Sequence, residues 1–258
     1  MTDHGEVSLT LDGHTATITL RRQRKLNALT PEMLDQLGEA VMRVRTSDAR
    51  VVVVRGEGER AFCVGADVNR FADLTPVEML GWTEHGHRVF DALAALPQPS
   101  VAVLHADAFG GGLELALACD LRVGAATARF GLPEVGLGTI PGWGGTERLV
   151  ELVGRARAKE VILGRRTLDA ATALTWGLLT EAPDPADLDG AVGRLAERIA
   201  AAAPVAIRLA KTVIDAAADG APSRVLEHLA GAVASSTDDL QAGVACFRSR
   251  SAPEFTGR

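Results

Sequence analysis

The chain has 258 residues, 47% hydrophobic and 23% charged, enough apolar mass to bury a sizeable core and too much for a disordered segment. A net charge of -6 and a pI near 5.6, with no Lys/Arg-rich block interleaved with aromatics, exclude the electrostatic footprint of a nucleic-acid binder. No run of about eighteen apolar residues occurs, and MTDHGEVSLT lacks a basic start followed by an apolar stretch, so neither membrane spanning nor export is expected and the protein is placed in the cytoplasm.

In chain order, VSLTLDGHTATITLRR alternates apolar and polar residues around Asp12-Gly13 and predicts a β-hairpin. Thr30-Pro31-Glu32 opens a helix whose apolar face is Met33, Leu34, Leu37, Val41 and Val44. RVVVVRG, residues 50–56, is a continuous β-branched run, the pattern of a strand covered on both faces in a parallel sheet. A long helix from about Thr75 to Leu96 ends at Pro97-Gln98-Pro99, and SVAVLHA then forms a second buried strand running into Gly110-Gly111-Gly112, where another helix begins. LRVGAATARF supplies one or two short strands. From Gly144 onward the spacing is helical, broken at Ala182-Pro183-Asp184-Pro185 and Gly220-Ala221-Pro222. Strand-helix alternation followed by helices implies an α/β core with an appended helical segment. No repeat period and no low-complexity linker divide the chain.

Three cysteines, Cys63, Cys119 and Cys246, lack CxxC spacing and argue against a disulfide framework or a zinc site. His85 and His87 stand two apart on a helix, where their rings face different sides, so no metal site is expected. No GxSxG elbow, HExxH, phosphate loop, kinase set or dinucleotide fingerprint occurs.

What remains is a set of glycine-rich turns and two carboxylates. In AFGGGLELALACDL, residues 108–121, the glycines let backbone N–H groups approach a ligand at a strand-to-helix junction, a place to hold an oxyanion. Glu114 stands inside the following apolar run. AFCVGAD, residues 61–67, is a second glycine-containing turn after a buried strand, and two such turns at strand ends can face one cleft. FGLPEVGLGTIPGWGGTERL, residues 130–149, places Glu134 in a glycine-dense loop twenty residues beyond Glu114. Each segment also has a purely structural reading: a tight turn with Glu114 complementing the helix dipole, Asp67 as a helix cap, and Glu134 as a solvated loop residue.

Together these segments, with RRQRKLNALT, DAATALTWGLLTE and FRSRSAPEFTG, resemble the crotonase superfamily of enoyl-CoA hydratases and isomerases over essentially the full length. The resemblance implies a crotonase-like ββα-superhelix core over residues 1–200, with a helical extension over 201–258 in the same domain unit. It implies that the N–H groups of Ala66 and Gly111 form an oxyanion hole for a thioester carbonyl, and that Glu114 and Glu134 flank the α and β carbons. Tentative CoA and acyl contacts follow at Lys25, Arg60, Ala61, Gly65, Asp67, Gly110, Pro133, Gly142 and Trp143. The implied reaction is syn addition of water to a trans-2-enoyl-CoA. Double-bond isomerisation with one glutamate, or another acyl-CoA lyase or hydrolase reaction, are the alternatives. No cofactor is implied, since CoA is part of the substrate, and the implied assembly is a homotrimer or dimer of trimers. Leu104-His105-Ala106 and Asp107 depart from the usual VNG and aromatic, Val64 from the frequent Ala, and Trp143 from Ala or Phe. A bulky Trp143 either narrows the range of acyl chains or packs in the core.

Overall fold

The computed structural model describes residues 4–258. The alternation around Asp12-Gly13 becomes strands β1 (Glu6–Asp12) and β2 (Thr15–Arg21), antiparallel from Glu6 opposite Arg21 to Asp12 opposite Thr15. Ala16, Ile18 and Leu20 of β2 point into the core. Thr30 caps helix α1 (Pro31–Arg45): its hydroxyl accepts from the Met33 N–H at 3.3 Å, and Pro31 fills a first-turn position that has no intrahelical acceptor to lose. Met33, Leu34, Leu37, Val41 and Val44 are all fully buried, so the spacing read from sequence marks the packed face.

Three ββα units follow. They are β3 (Val51–Gly56), β4 (Ala61–Cys63) and α2 (Pro76–Ala94); β5 (Ser100–Leu104), β6 (Asp107–Phe109) and α3 (Gly111–Leu117); and β7 (Leu121–Gly124), β8 (Arg129–Gly131) and α4 (Gly145–Val153). The first strand of each unit enters a sheet of order β1-β2-β3-β5-β7, parallel from β2 onward. The second strand enters another sheet, in which β4, β6 and β8 run parallel. After α5 (Arg155–Ile162), strand β9 (Leu168–Asp169) closes that sheet antiparallel to β8, and α6 (Ala170–Thr175) and α7 (Leu188–Ala200) follow. The Val-rich β3 and β5 are buried on both faces, as expected of parallel strands sandwiched between other layers.

Two expectations change. SVAVLHA holds the expected buried strand but does not run straight into the glycines: β5 stops at Leu104, and the chain turns through His105-Ala106 to cross into the other sheet as β6. The same crossing separates β7 from β8. A short apolar run carries no mark of which sheet it pairs with, so the change of layer is set by tertiary pairing. The helical spacing after Gly144 is also interrupted by β9, two residues whose pairing with β8 depends on a partner some forty residues earlier.

Buried polar groups tie the layers together. Asn27, in the left-handed region at φ 57°, accepts the Arg22 N–H and donates to the carbonyls of Glu57, Ala61 and Phe62, joining the end of β2 to β4. The C-terminal helices are α8 (Pro204–Ala218), α9 (Ser223–Ser235) and α10 (Asp238–Ser249); Lys211 of α8 lies 2.8 Å from Asp120, itself the acceptor of the Ser100 N–H, and Arg50 donates to the Phe255 carbonyl beyond α10 at 2.7 Å. No residue of α8 or α9 is buried within the chain, and Ile214, Val225, Leu229 and Val233 face outward. Among the described residues no helix is long and apolar enough to cross a membrane.

Candidate active site

The site is assembled from the ends of β4, β6 and β8. After β4 the chain turns through Gly65 at φ 98°, and after β6 through Gly110 at φ 54°, ψ -134°, conformations that a side chain would strain. The two turns touch: a Cβ on Gly65 would stand 2.8 Å from the Gly111 nitrogen, and one on Gly111 would stand 3.4 Å from the Ala66 nitrogen. The N–H groups of Val64, Gly65 and Asp67 donate to Leu26 O, Cys63 Sγ and Leu29 O. That of Ala66 has no acceptor among the described residues. Gly111 is the first residue of α3, so its N–H has no acceptor within its own helix. Two adjacent N–H donors are thereby left for a single incoming oxygen.

Glu114 follows in the first turn of α3 at 2% exposure, in an environment where a bare charge is costly. One of its oxygens accepts the N–H of Trp143 at 2.7 Å and that of Gly145 at 2.9 Å. Burial pushes the carboxyl above the usual range, and these two hydrogen bonds pull in the other direction. Glu134 stands at the start of a short 3-10 turn, Glu134–Leu137, behind β8. Both of its carboxyl oxygens are buried and have no hydrogen-bond partner among the described residues. Burial, with the negative charge of Glu114 adding to it, raises its pKa from 4.5 to about 7.

Both carboxyls line one cleft of about 120 Å³, with Gly65, Ala66, Gly110 and Gly111 on its floor. Val68 and Phe71 contribute one wall, Met79, Trp82 and Thr83 of α2 another, and Leu137 and Ile140 form an exposed apolar lip. A carbonyl oxygen held by two N–H groups between two carboxyls is an arrangement suited to proton transfer at carbons next to a thioester. Residues 12–258 match the model of a family described as enoyl-CoA hydratase/isomerase. The chain belongs to the enoyl-CoA hydratase/isomerase family.

Relatives in this family include the Bacillus subtilis protein YngF, 40% identical over 95% of each chain. The short-chain-enoyl-CoA hydratase of Clostridium acetobutylicum is 36% identical, covering 81% of this chain and 80% of its own. Among solved structures, an enoyl-CoA hydratase from Bacillus anthracis superposes with a TM-score of 0.94 at 33% identity, over 98% of this chain and 99% of that one.

Of the residues singled out from sequence, Gly65, Ala66, Gly110, Gly111, Glu114, Pro133, Glu134, Gly142 and Trp143 all line this cleft of the family member. Lys25, Arg60, Ala61 and Asp67 do not. Lys25 and Arg60 are exposed. Ala61 is buried in β4, where its carbonyl accepts from Asn27, and Asp67 pairs with Arg22 at 2.8 Å and caps the next turn through the Asn69 N–H. Asp67 thus takes the capping role that sequence left open. Asp107 lies off the cleft and pairs with Arg129 at 2.7 Å, while His105 lies beside Arg55 in a separate shallow cleft. The individual wall residues of α2 and the Gly145 donor were not singled out from sequence, because α2 carries no chemical motif and Gly145 acts through its backbone.

The raised pKa of Glu134 has a consequence for stability. Between about pH 4.5 and 7 the folded protein retains a proton that the unfolded chain has released. The stabilisation is therefore complete below the unfolded value and is lost as pH rises through the folded one. Urea unfolding is expected to show a decline over this window, at most about 3 kcal/mol from Glu134, that is shallower in Glu134→Gln, where only the likewise raised Glu114 still contributes. Identical pH slopes for the two proteins would remove this assignment.

Proposed function

We propose that the protein is an enoyl-CoA hydratase that adds water reversibly, with syn geometry, to a trans-2-enoyl-CoA. The observation that carries this reading is the unlike pair of carboxyls on one cleft: Glu114 held by two backbone N–H groups, and Glu134 with both carboxyl oxygens buried and unpartnered and its pKa raised to about 7. The surroundings of the two groups suit the division of labour that hydration requires: Glu114, its oxygen fixed by two N–H donors, takes up the proton of water, and Glu134, its oxygens unpartnered, carries the proton for carbon.

In the forward direction the thioester oxygen accepts from the N–H groups of Ala66 and Gly111. Water oxygen bonds to the β carbon as its proton passes to Glu114, and the β–α π pair moves to give an enolate whose charge rests on the two N–H groups. Glu134 then delivers its proton to the α carbon, and return of the proton from Glu114 to Glu134 resets the site. Water is added in full, no electron is gained or lost, and the reaction proceeds without a bound cofactor. The test is incubation with crotonyl-CoA, following loss of the conjugated enoyl-thioester absorbance and weighing the product. A hydrated product supports the reading. Turnover of 3-enoyl-CoA alone would make the protein an isomerase using Glu134 as its single proton carrier.

The same reading includes self-association as a trimer or dimer of trimers, for which the outward-facing Ile214, Val225, Leu229 and Val233 offer the apolar surface. Light scattering on a size-exclusion column giving the mass of one chain would sink it. A reducing cytoplasmic setting accords with three unpaired cysteines, of which Cys63 and Cys119 are buried with thiols pushed up to about 12.

A further inference from the structure

We propose that Trp143 is the residue that sets acyl-chain length: its indole closes the inner end of the cleft and confines the enzyme to short acyl groups. This rests on the hydratase reading for the identity of the substrate. Trp143 is 3% exposed and still lines the cleft beside Glu114 and Gly142. Its ring is wedged between two helices. A Cβ on Gly86 of α2 would fall 2.1 Å from the indole nitrogen, and one on Gly111 of α3 would fall 2.5 Å from Cζ3. Each of those positions therefore needs glycine for the indole to fit.

The plug is also braced from behind. The ring meets Trp82 edge-on at 5.2 Å and 63°, and Phe90 at 5.3 Å and 73°. A thioester carbonyl seated on the Ala66 and Gly111 donors has this ring against the Cα of one of them. A chain continuing past the β carbon and Glu114 towards the interior meets a braced aromatic wall with no side chain free to swing aside. The outer end, by contrast, is open between Leu137 and Ile140, which are 64% and 67% exposed.

A second observation separates this role from plain core filling. The indole N–H is buried with no acceptor among the described residues, a cost that a phenyl or leucine side chain in the same slot would not carry. The size of the indole is what those smaller side chains lack.

The test is kcat/KM with crotonyl-, hexenoyl- and octenoyl-CoA, accompanied by the affinities of butyryl- and octanoyl-CoA from calorimetry. For the wild type, kcat/KM is expected to fall about tenfold or more at each step, since one methylene in a filled pocket already discriminates by about that factor. Trp143→Ala should raise the octenoyl-to-crotonyl ratio at least tenfold, because it opens the inner end while leaving the backbone N–H that holds Glu114. Trp143→Phe should move the cut-off part of the way, and serves if the alanine variant does not fold. Equal wild-type turnover of crotonyl- and octenoyl-CoA, or an unchanged ratio in both variants, overturns the proposal while the hydratase reading stands. If no enoyl-CoA is hydrated at any length, tight butyryl-CoA and weak octanoyl-CoA binding upholds the plug and removes the reaction. Equal affinities remove the plug.

Discussion

Replacing Glu134 by glutamine is expected to lower kcat for crotonyl-CoA hydration by about 10²–10⁴, with KM nearly unchanged and the fold intact. Glutamine fills nearly the same volume and replaces the titrating carboxyl by an amide that neither takes up nor releases a proton in this range. The carboxyl oxygens of Glu134 have no partner among the described residues, so the change breaks no structural hydrogen bond. The proton for the α carbon, by contrast, has no other donor on that side of the cleft. Glu114→Gln should also be slow, for a different reason: its amide oxygen can still accept from Trp143 and Gly145, but the anion that takes the water proton is gone. Activity of Glu134→Gln within tenfold of wild type would remove Glu134 from the mechanism. A loss confined to KM would make it a binding group instead.

Gly112→Ala is expected to be nearly as damaging, although residue 112 touches no substrate in this reading. Its new methyl would lie 2.1 Å from the carbonyl oxygen of Cys63 and 2.5 Å from that carbonyl carbon. The obstacle is backbone, so α3 must move away from β4 as a unit. Overpacking of this kind costs about 1–3 kcal/mol, and more where nothing yields. The movement also parts the two turns that carry the Ala66 and Gly111 donors, and loss of one such donor costs about 10²–10³ in rate. Gly193→Ala is the control: it lies within α7 with nothing within 4 Å of its Cβ, and gains helix propensity of up to about 1 kcal/mol. Thermal unfolding together with crotonyl-CoA turnover reads both. A Gly112→Ala protein that is both stable and active would mean that α3 is not held as tightly as this contact requires.

The contrast between these two glycines explains how far the sequence was legible. Periodicity located α1 with its buried face and the Val-rich β3, because burial on one stripe or on both faces is written directly in residue type. It could not distinguish β5 from β6, since the crossing at His105-Ala106 depends on strands far away in the chain. Glu114 was conspicuous as a charge in an apolar run, whereas Glu134 looked like a solvated loop residue and only its neighbours in space bury it. The groups that hold Glu114 were hidden altogether, because backbone N–H groups leave no residue signature. Trp143 remained ambiguous between core and pocket wall, and the structure makes it both. The basic residues chosen for the substrate's CoA portion, Lys25 and Arg60, rested on resemblance alone, and neither lines the cleft.

The stacking of successive ββα units also has a kinetic consequence. Ala66 and Gly111 belong to different units, and Glu134 to a third, so every pairing that builds the cleft closes a loop of some twenty to seventy residues. Such non-local parallel pairings form slowly, because chain entropy is lost before the contacts compensate for it. The β1–β2 hairpin and α1 can form early from local contacts, while the second sheet must wait for all three crossings. During refolding, tryptophan burial around residue 143 and recovery of turnover should therefore arrive together and late, well after most helical signal has returned. A nascent chain emerging from the ribosome would correspondingly stay inactive, with unpaired strand edges exposed, until the segment carrying Glu134 and Trp143 had docked.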